Sequence, residues 1–162
     1  VMQHDEGLIC GSHNYVQDYH YQVNGKVIAY RDQLNEKLTA VTGRGVSIMR
    51  APGGDEKVYI NEDVHLPLIH WTLVSADAGG NVKNPESEAR RLASKALDGD
   101  VILCHDLRSG TADYTQTLPQ LLAARGFLCV TVEELFAVNG IELAPNTVYF
   151  GVGSDSYEQR KD

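Results

Sequence analysis

The chain has 162 residues, a hydrophobic fraction of 43% and a formal net charge of −8. This length and composition are typical of one globular domain with an apolar core. The excess of acidic residues argues against a nucleic-acid backbone or an anionic membrane surface as a partner. No apolar run approaches the length of a membrane-spanning helix, and no signal peptide is visible.

Strand-like and helix-like segments alternate along the first half of the chain. Leu8–Cys10 predicts a short strand, reached so soon after the first residue that we expect the sequence to be part of a longer protein. Apolar residues at three- and four-residue spacing predict a helix over Val27–Val41, with Gly43 as its C-terminal cap. Further strands are predicted at Val46–Met49 and His70–Val74.

The same alternation continues in the second half. Asn84-Pro85-Glu86 predicts the start of a helix, with an N-cap, a first-turn proline and an acid. Val101–Cys104 predicts a buried strand and Thr115–Arg125, before Gly126, a helix. Phe127–Val130 predicts another strand, and Thr131–Glu134 has the sequence of a capping box for a last short helix.

Alternation of this kind predicts an α/β fold with a mainly parallel sheet covered by helices. The predicted strands are too few for a closed barrel, so an open sheet and a barrel without its beginning both fit. We expect one domain over residues 1–155 and a polar tail over residues 156–162. Cys10, Cys104 and Cys129 lack the spacing of a disulfide framework or a zinc motif, and we expect buried thiols.

His105 ends the apolar run Val101–Cys104 and is followed by Asp106. Residues just past the carboxyl end of a buried strand face the active-site side of an α/β fold. Because imidazole titrates near neutral pH, it can give or take a proton during a reaction. A catalytic role is therefore predicted, with a hydrogen-bonded structural histidine as the alternative.

Other polar segments also follow strands, and together with His105 they resemble an ordered set of family motifs. His13-Asn14-Tyr15-Val16-Gln17, Arg50-Ala51-Pro52-Gly53-Gly54, Trp71 with Asp77, and Leu103-Cys104-His105 appear in this order. They resemble the second to fifth motifs of the polysaccharide deacetylase family, the NodB-like carbohydrate esterases of family 4. The resemblance covers nearly the whole chain.

The resemblance implies a partial or distorted (β/α) barrel with a mainly parallel sheet. It also implies metal-dependent N-deacetylation of glycans such as peptidoglycan or chitin-like polymers, with zinc as the leading divalent cation. The implied partner is an N-acetylated polysaccharide or oligosaccharide. The parent protein is then expected to act outside the cytoplasm or at the cell envelope.

Three residues are implied to carry the chemistry. By the resemblance, His105 is the general acid that protonates the leaving amine, Asp77 supports it, and Arg50 orients the catalytic base. A carboxylate beside an imidazole favours the protonated ring, which is the form that donates. For Arg50, a surface ion pair is the alternative.

Three further residues are implied to bind substrate. The main-chain N–H of Gly53 helps to stabilise the oxyanion, while Trp71 and Leu103 line an apolar acetyl pocket. For Trp71, a place in the core is the alternative.

His13 and Gln17 occupy the positions of the family's two metal-binding histidines. Glutamine is a poorer zinc ligand than imidazole. The family's first motif, a strand ending in two aspartates, has no match in these 162 residues. We therefore expect weak or absent metal binding and impaired deacetylation. The alternatives are an inactive glycan-binding or structural module, a metal-independent route, and a water in place of one ligand.

Overall fold

The computed structural model describes residues 27–61, 64–80, 82–106 and 108–153. The helices are α1 (Val27–Thr42), α2 (Glu56–Asn61), α3 (Pro85–Lys95), α4 (Thr111–Ala124) and α5 (Val132–Val138). The strands are β1 (Leu68–Ile69), β2 (Leu73–Val74), β3 (Ile102–Leu103) and β4 (Val148–Tyr149). Single 3₁₀ turns lie at Pro52–Gly54 and Ala76–Gly79. The predicted strand Leu8–Cys10 and the predicted tail lie outside the described residues.

The chain forms two compact units. Of the described residues, the first unit holds those up to 70 together with 140–149, and the second holds 71–139 and 150–153.

The first unit is built on parallel pairing of β1 with β4, in the register Leu68↔Val148. Met49 joins β1 through a single parallel bridge, so the strand predicted over Val46–Met49 was wrong in extent. The pairing ends there because the chain turns at Pro52–Gly54, and Pro52 has no N–H to donate. Met49, Ala51, Val64 and Leu68 form a buried hydrophobic cluster in this unit.

The second unit contains β2 and β3, also paired in parallel, in the register Leu73↔Ile102. The single strand predicted over His70–Val74 was wrong. His70 continues the main-chain pairing of β1, whereas Leu73 and Val74 form β2. The N–H of His70 donates to Tyr149 at 2.7 Å, whereas the N–H of Leu73 donates to Val101 at 3.2 Å.

Helix α3 begins as predicted. The Asn84 side chain accepts from the Ser87 N–H at 3.0 Å, Pro85 occupies the first turn, and Glu86 and Glu88 follow. Its apolar face packs against α4 to form the core of the second unit. That core contains Leu73, Ala89, Leu92, Ala93, Ala96, Tyr114, Leu118 and Leu122.

Helix α4 begins at Thr111, one turn before the predicted start at Thr115. The early start has a tertiary cause: the hydroxyls of Thr111 and Tyr114 bond a buried carboxylate far upstream in the sequence. The predicted stop is confirmed, since Gly126 follows the helix with a φ of 87°, a conformation that glycine adopts without strain.

The segment Phe127–Val130 is not a strand, which corrects the prediction. No strand in the described part of the chain pairs with it, and the Leu128 side chain is 84% exposed. Cys129 lies in this segment and is therefore exposed rather than buried as expected, while Cys104 is half-buried. An apolar run predicts a strand only when a neighbouring strand can accept its main-chain bonds.

Local capping signals are confirmed elsewhere. Thr131 and Glu134 form the predicted capping box of α5, with the Glu134 carboxylate accepting from the Thr131 N–H at 2.9 Å. Gly43 ends α1 with a φ of 73°. The parallel pairing predicted for the strands is confirmed in both units, and these strands form no closed barrel within the described ranges. No described helix is long and apolar enough to cross a bilayer.

The two leucines Leu122 and Leu128 test this account of the second unit. Leu122 is 5% exposed and Leu128 is 84% exposed. We expect Leu122→Ala to lower the free energy of unfolding by about 2–5 kcal/mol, because it removes buried methyl groups and leaves a cavity. The matched variant Leu128→Ala should change it by no more than about 0.5 kcal/mol. Urea denaturation measures both, and a comparable loss in Leu128→Ala would show that the Leu128 side chain is packed against the core.

Candidate active site

Asp77 lies in the 3₁₀ turn that follows β2, and its side chain is 0% exposed. A carboxylate in such a place needs donors, because burial without partners is costly. The groups that donate to it are the ring and main-chain nitrogens of His105 and the hydroxyls of Ser75, Thr111 and Tyr114.

The donors divide between the two carboxylate oxygens. Oδ2 accepts from the His105 N–H at 2.8 Å, the Thr111 hydroxyl at 2.8 Å and the Tyr114 hydroxyl at 2.6 Å. Oδ1 accepts from the Ser75 hydroxyl and lies 3.0 Å from Nδ1 of His105. A carboxylate offers about four lone-pair positions, so its accepting capacity is fully used.

These bonds decide the charge of Asp77. Burial acts to raise its pKa, but hydrogen bonds from His105, Ser75 and Tyr114 outweigh burial and hold the pKa well below its usual range. Asp77 is therefore ionised at neutral pH.

An ionised Asp77 sets the tautomer of His105. Because a carboxylate without a proton can only accept, the ring nitrogen facing it, Nδ1, carries the hydrogen. The proton of the neutral-to-imidazolium change is then gained and lost at Nε2. The His105 side chain is 30% exposed, so solvent and small groups reach the ring. The contact predicted between Asp77 and His105 is confirmed, and the pair is suited to proton donation.

Two neighbouring groups stay protonated near neutral pH. Burial, followed by the bond to Asp77, raises the pKa of Tyr114 far above its usual value. Burial also raises the pKa of the Cys104 thiol, at the end of β3. Both are therefore neutral neighbours of the Asp77 charge.

A second buried carboxylate anchors the turn that carries Asp77. Glu88 on α3 is 6% exposed and accepts from the Ala76 N–H at 2.7 Å. Arg91 donates to Glu88 at 2.7 Å and to the carbonyl of Val74 at 3.0 Å. Helix α3 thus fixes both the end of β2 and the following turn.

Several of these residues were missed in the sequence. Ser75 lies inside the segment from Trp71 to Asp77 and was available from it. Thr111 and Tyr114 are three residues apart, a spacing that places two side chains on one helix face, but nothing local points to Asp77. Glu88 was not singled out in the sequence.

The other predicted site residues are placed as follows. Leu103 is buried in β3 and Trp71 is half-buried just before β2, both in the second unit. Arg50 is half-buried, and Gly53 has a φ of 67°, in the left-handed region that favours glycine. These last two belong to the first unit, so their roles beside His105 stay predictions. Nε2 of His70 lies 2.9 Å from Oε1 of Glu56.

His13 and Gln17, the predicted metal ligands, lie outside the described residues. Among the described residues, no group of three histidine, cysteine, aspartate or glutamate side chains is placed to hold a metal ion. The oxygens of Asp77 are occupied by donors, so this carboxylate does not fit a metal ligand either. The metal site stays a prediction.

The second unit also contains a cavity of about 340 Å³. It is lined by the segment from Ala96 to Cys104, by α4, by the Phe127–Val130 segment and by the start of α5, and neither Asp77 nor His105 borders it. This cavity is distinct from the Asp77–His105 pair.

Replacing Asp77 by asparagine tests the charge assigned to it. We expect Asp77→Asn to lower the free energy of unfolding at neutral pH by at least about 1–3 kcal/mol, because buried donors lose their acceptor. Because the pKa of Asp77 is lower in the folded than in the unfolded state, its ionisation stabilises the folded state fully above about pH 4. This stabilisation is lost as the pH falls toward the folded-state pKa. The deficit of the variant should therefore shrink on acidification below about pH 4.

Urea denaturation across this pH range measures that deficit. Asp106→Asn removes an exposed carboxylate next to His105 and is the matched control, with an expected change within about 0.5 kcal/mol at neutral pH. A deficit of Asp77→Asn that stays constant on acidification would contradict the charge assignment.

Comparison with known proteins adds distant relatives. No family model matches the chain. The peptidoglycan-N-acetylglucosamine deacetylase PgdA of Listeria monocytogenes is 27% identical over 135 residues, which cover 82% of this chain and 28% of the relative. The chain thus spans less than a third of the curated relative that it matches.

Solved structures extend the match. The T48 deacetylase with substrate has 26% identity and a TM-score of 0.79, over 91% of this chain and 73% of that one. The family 4 acetyl xylan esterase of Clostridium thermocellum, in complex with a cobalt ion, has 21% identity and a TM-score of 0.84, over 94% and 77%. This second likeness shows the shared fold.

A third structure is a family 4 pseudoenzyme from Bacillus anthracis, with 27% identity and a TM-score of 0.67, over 83% of this chain and 48% of that one. A mutant of that pseudoenzyme has restored enzymatic activity. The distant relatives, the shared α/β fold and the ordered motifs agree, and they make the chain a distant relative of the polysaccharide deacetylase family, the NodB-like carbohydrate esterases of family 4.

Proposed function

We propose that this chain carries the acid half of an N-deacetylase site for N-acetylated glycans, with His105 as the general acid and Asp77 as its support. The observation that carries the proposal is the buried Asp77 carboxylate 3.0 Å from Nδ1 of His105. Such a carboxylate fixes the orientation and the tautomer of the ring. The His105 ring is also partly exposed, as a group that donates a proton to substrate must be.

The proposed reaction is hydrolysis of the acetamido group. Water adds to the acetyl carbonyl carbon, the bond from carbon to nitrogen breaks, and the products are acetate and the free amine of the sugar. The imidazolium of His105 gives its Nε2 proton to the departing nitrogen, and the proton released by the attacking water restores it. Positioned acid–base catalysis of this kind contributes about 10²–10⁴-fold to a rate.

The substrate is proposed to be peptidoglycan or a chitin-like polymer. The Listeria relative, described as a peptidoglycan-N-acetylglucosamine deacetylase, supports the first of these. The T48 deacetylase, solved with its substrate, supports a substrate-binding site on this fold. Action at the cell envelope or outside the cytoplasm follows as part of the same proposal. Arg50, Gly53, Trp71 and Leu103 keep their proposed roles around the base, the oxyanion and the acetyl group.

The proposed site is expected to bind a metal ion weakly. The resemblance places Gln17 where family members have a second histidine, and a neutral amide oxygen is a poorer zinc ligand. We therefore propose that activity is impaired in this chain. The alternative is a catalytically inactive glycan-binding or structural module, which the related Bacillus anthracis pseudoenzyme supports.

Restoring the histidine tests the proposal. We expect Gln17→His to bind Zn²⁺ or Co²⁺ more tightly than the parent chain, because imidazole replaces an amide oxygen. We also expect it to release more acetate from N-acetylated peptidoglycan strands. Adding His105→Asn to this variant should reduce the released acetate by about 10²–10⁴-fold and leave metal affinity unchanged. Titration calorimetry and an acetate assay are the measurements.

The outcomes separate the alternatives. Unchanged metal affinity in Gln17→His would show that residue 17 does not face the site. Acetate release that persists after His105→Asn would remove His105 from the reaction. Binding of the glycan strands without acetate release, in the parent and in Gln17→His alike, would favour the inactive module.

A further inference from the structure

Tyr114 has its ring in the apolar core and its hydroxyl against the Asp77 carboxylate. Its ring is part of the apolar core between α3 and α4, and the whole side chain is 0% exposed. Its hydroxyl lies 2.6 Å from Oδ2 of Asp77. Phenylalanine would fill the same core without a polar atom, so packing alone does not account for the hydroxyl.

The hydroxyl can only donate to Asp77. Asp77 is held as a carboxylate, and a carboxylate is an acceptor without a proton of its own. Burial raises the pKa of Tyr114 far above its usual value, so the phenol keeps its hydrogen. The bond therefore has one fixed direction, and a donor bonded to an ionised acceptor is about twice as strong as one between neutral groups.

The hydrogen bond from Tyr114 lies on the carboxylate oxygen that faces away from the ring of His105. The Tyr114 and Thr111 hydroxyls both reach Oδ2, while the ring of His105 faces Oδ1. Donors on Oδ2 draw negative charge toward that oxygen and fix the carboxylate plane. The rigid first turn of α4 thus sets how much charge, and in what orientation, Asp77 presents to His105.

We propose that Tyr114 is a positioning residue, which acts through Asp77 to orient the ring of His105 and to set the proton affinity of that ring. This inference rests on the proposed function only for its catalytic consequence; the coupling between Tyr114 and His105 is a property of the fold.

The other titratable groups near the pair do not replace this coupling. Cys104 neighbours the Tyr114 hydroxyl and stays a thiol, because burial raises its pKa. Glu88 on α3 is engaged by Arg91 and by the Ala76 N–H. Asp106 is exposed to solvent beside His105, where screening weakens its effect.

The direction in which Tyr114 changes the pKa of His105 follows from the charges involved. A donor on Asp77 competes with the imidazolium for the same negative charge, so its removal strengthens the attraction between Asp77 and protonated His105. Tyr114→Phe should therefore raise the pKa of the His105 ring by a few tenths of a unit to about one unit. A Tyr114 that served packing alone would leave that pKa unchanged.

The test is an NMR titration of the His105 ring in the full chain, with its signals assigned by their loss in His105→Gln. Tyr114→Phe should shift the titration upward. Tyr149→Phe is the matched control, because the Tyr149 hydroxyl bonds Ala144 and Glu142 in the first unit, and it should leave the titration in place. No shift in folded Tyr114→Phe overturns the inference, as does an equal shift in Tyr149→Phe.

A second substitution covers the case in which Tyr114→Phe does not fold. Placing 3-fluorotyrosine at position 114 preserves the shape and makes the phenol a stronger donor. The pKa of His105 should then move downward, and an unchanged or raised value would overturn the inference.

An activity measurement separates this inference from the proposed function. If the chain, or its Gln17→His variant, releases acetate, then the alkaline limb of the kcat profile should move upward in Tyr114→Phe, with kcat lowered and KM unchanged. A shifted NMR titration with no acetate release in any variant refutes the proposed function and supports the coupling. Acetate release with neither the NMR titration nor the kcat profile shifted refutes the coupling alone.

Discussion

The buried charge of Asp77 organises the second unit of this protein. An ionised carboxylate with no solvent contact is stable only if donors surround it, and here they come from three parts of the chain. Ser75 precedes it in the same turn, His105 follows β3, and Thr111 and Tyr114 open α4. The end of β2, the end of β3 and the start of α4 are thereby held at one point.

The same requirement couples folding to chemistry. The residues that satisfy Asp77 also hold the ring of His105 in a fixed tautomer, with its side chain partly exposed. Glu88 on α3 is a second buried carboxylate. It accepts from the N–H of Ala76 and so holds the start of the turn that carries Asp77. In this unit the polar groups that define the candidate site are also those that fix the positions of the helices.

Local signals in the sequence predicted much of the fold. The N-cap at Asn84, the capping box at Thr131 and the glycine stop at Gly126 depend only on residues a few positions apart. They can therefore be recognised in a short stretch of sequence. Phe127–Val130 was predicted wrongly because its strand propensity depends on a partner strand. The early start of α4 has the same origin, since its cause lies 34 residues upstream of Thr111.

The candidate site could be predicted in part. Asp77 and His105 followed from their motifs and strand-end positions, and the contact between them is present. Tyr114 could not be found in this way, because a tyrosine at helical spacing among leucines has the pattern of a core residue. Only the folded chain places its hydroxyl against a carboxylate 37 residues away.

The main-chain N–H of His105 bonds the Asp77 carboxylate rather than a carbonyl of a neighbouring strand. Exchange of this hydrogen with deuterium from solvent requires that bond to break, which leaves a buried charge short of a donor. The amide is therefore a local gauge of how often water reaches the carboxylate. Its protection factor reports the opening free energy of the Asp77 pocket itself, separately from the unfolding of the surrounding helices.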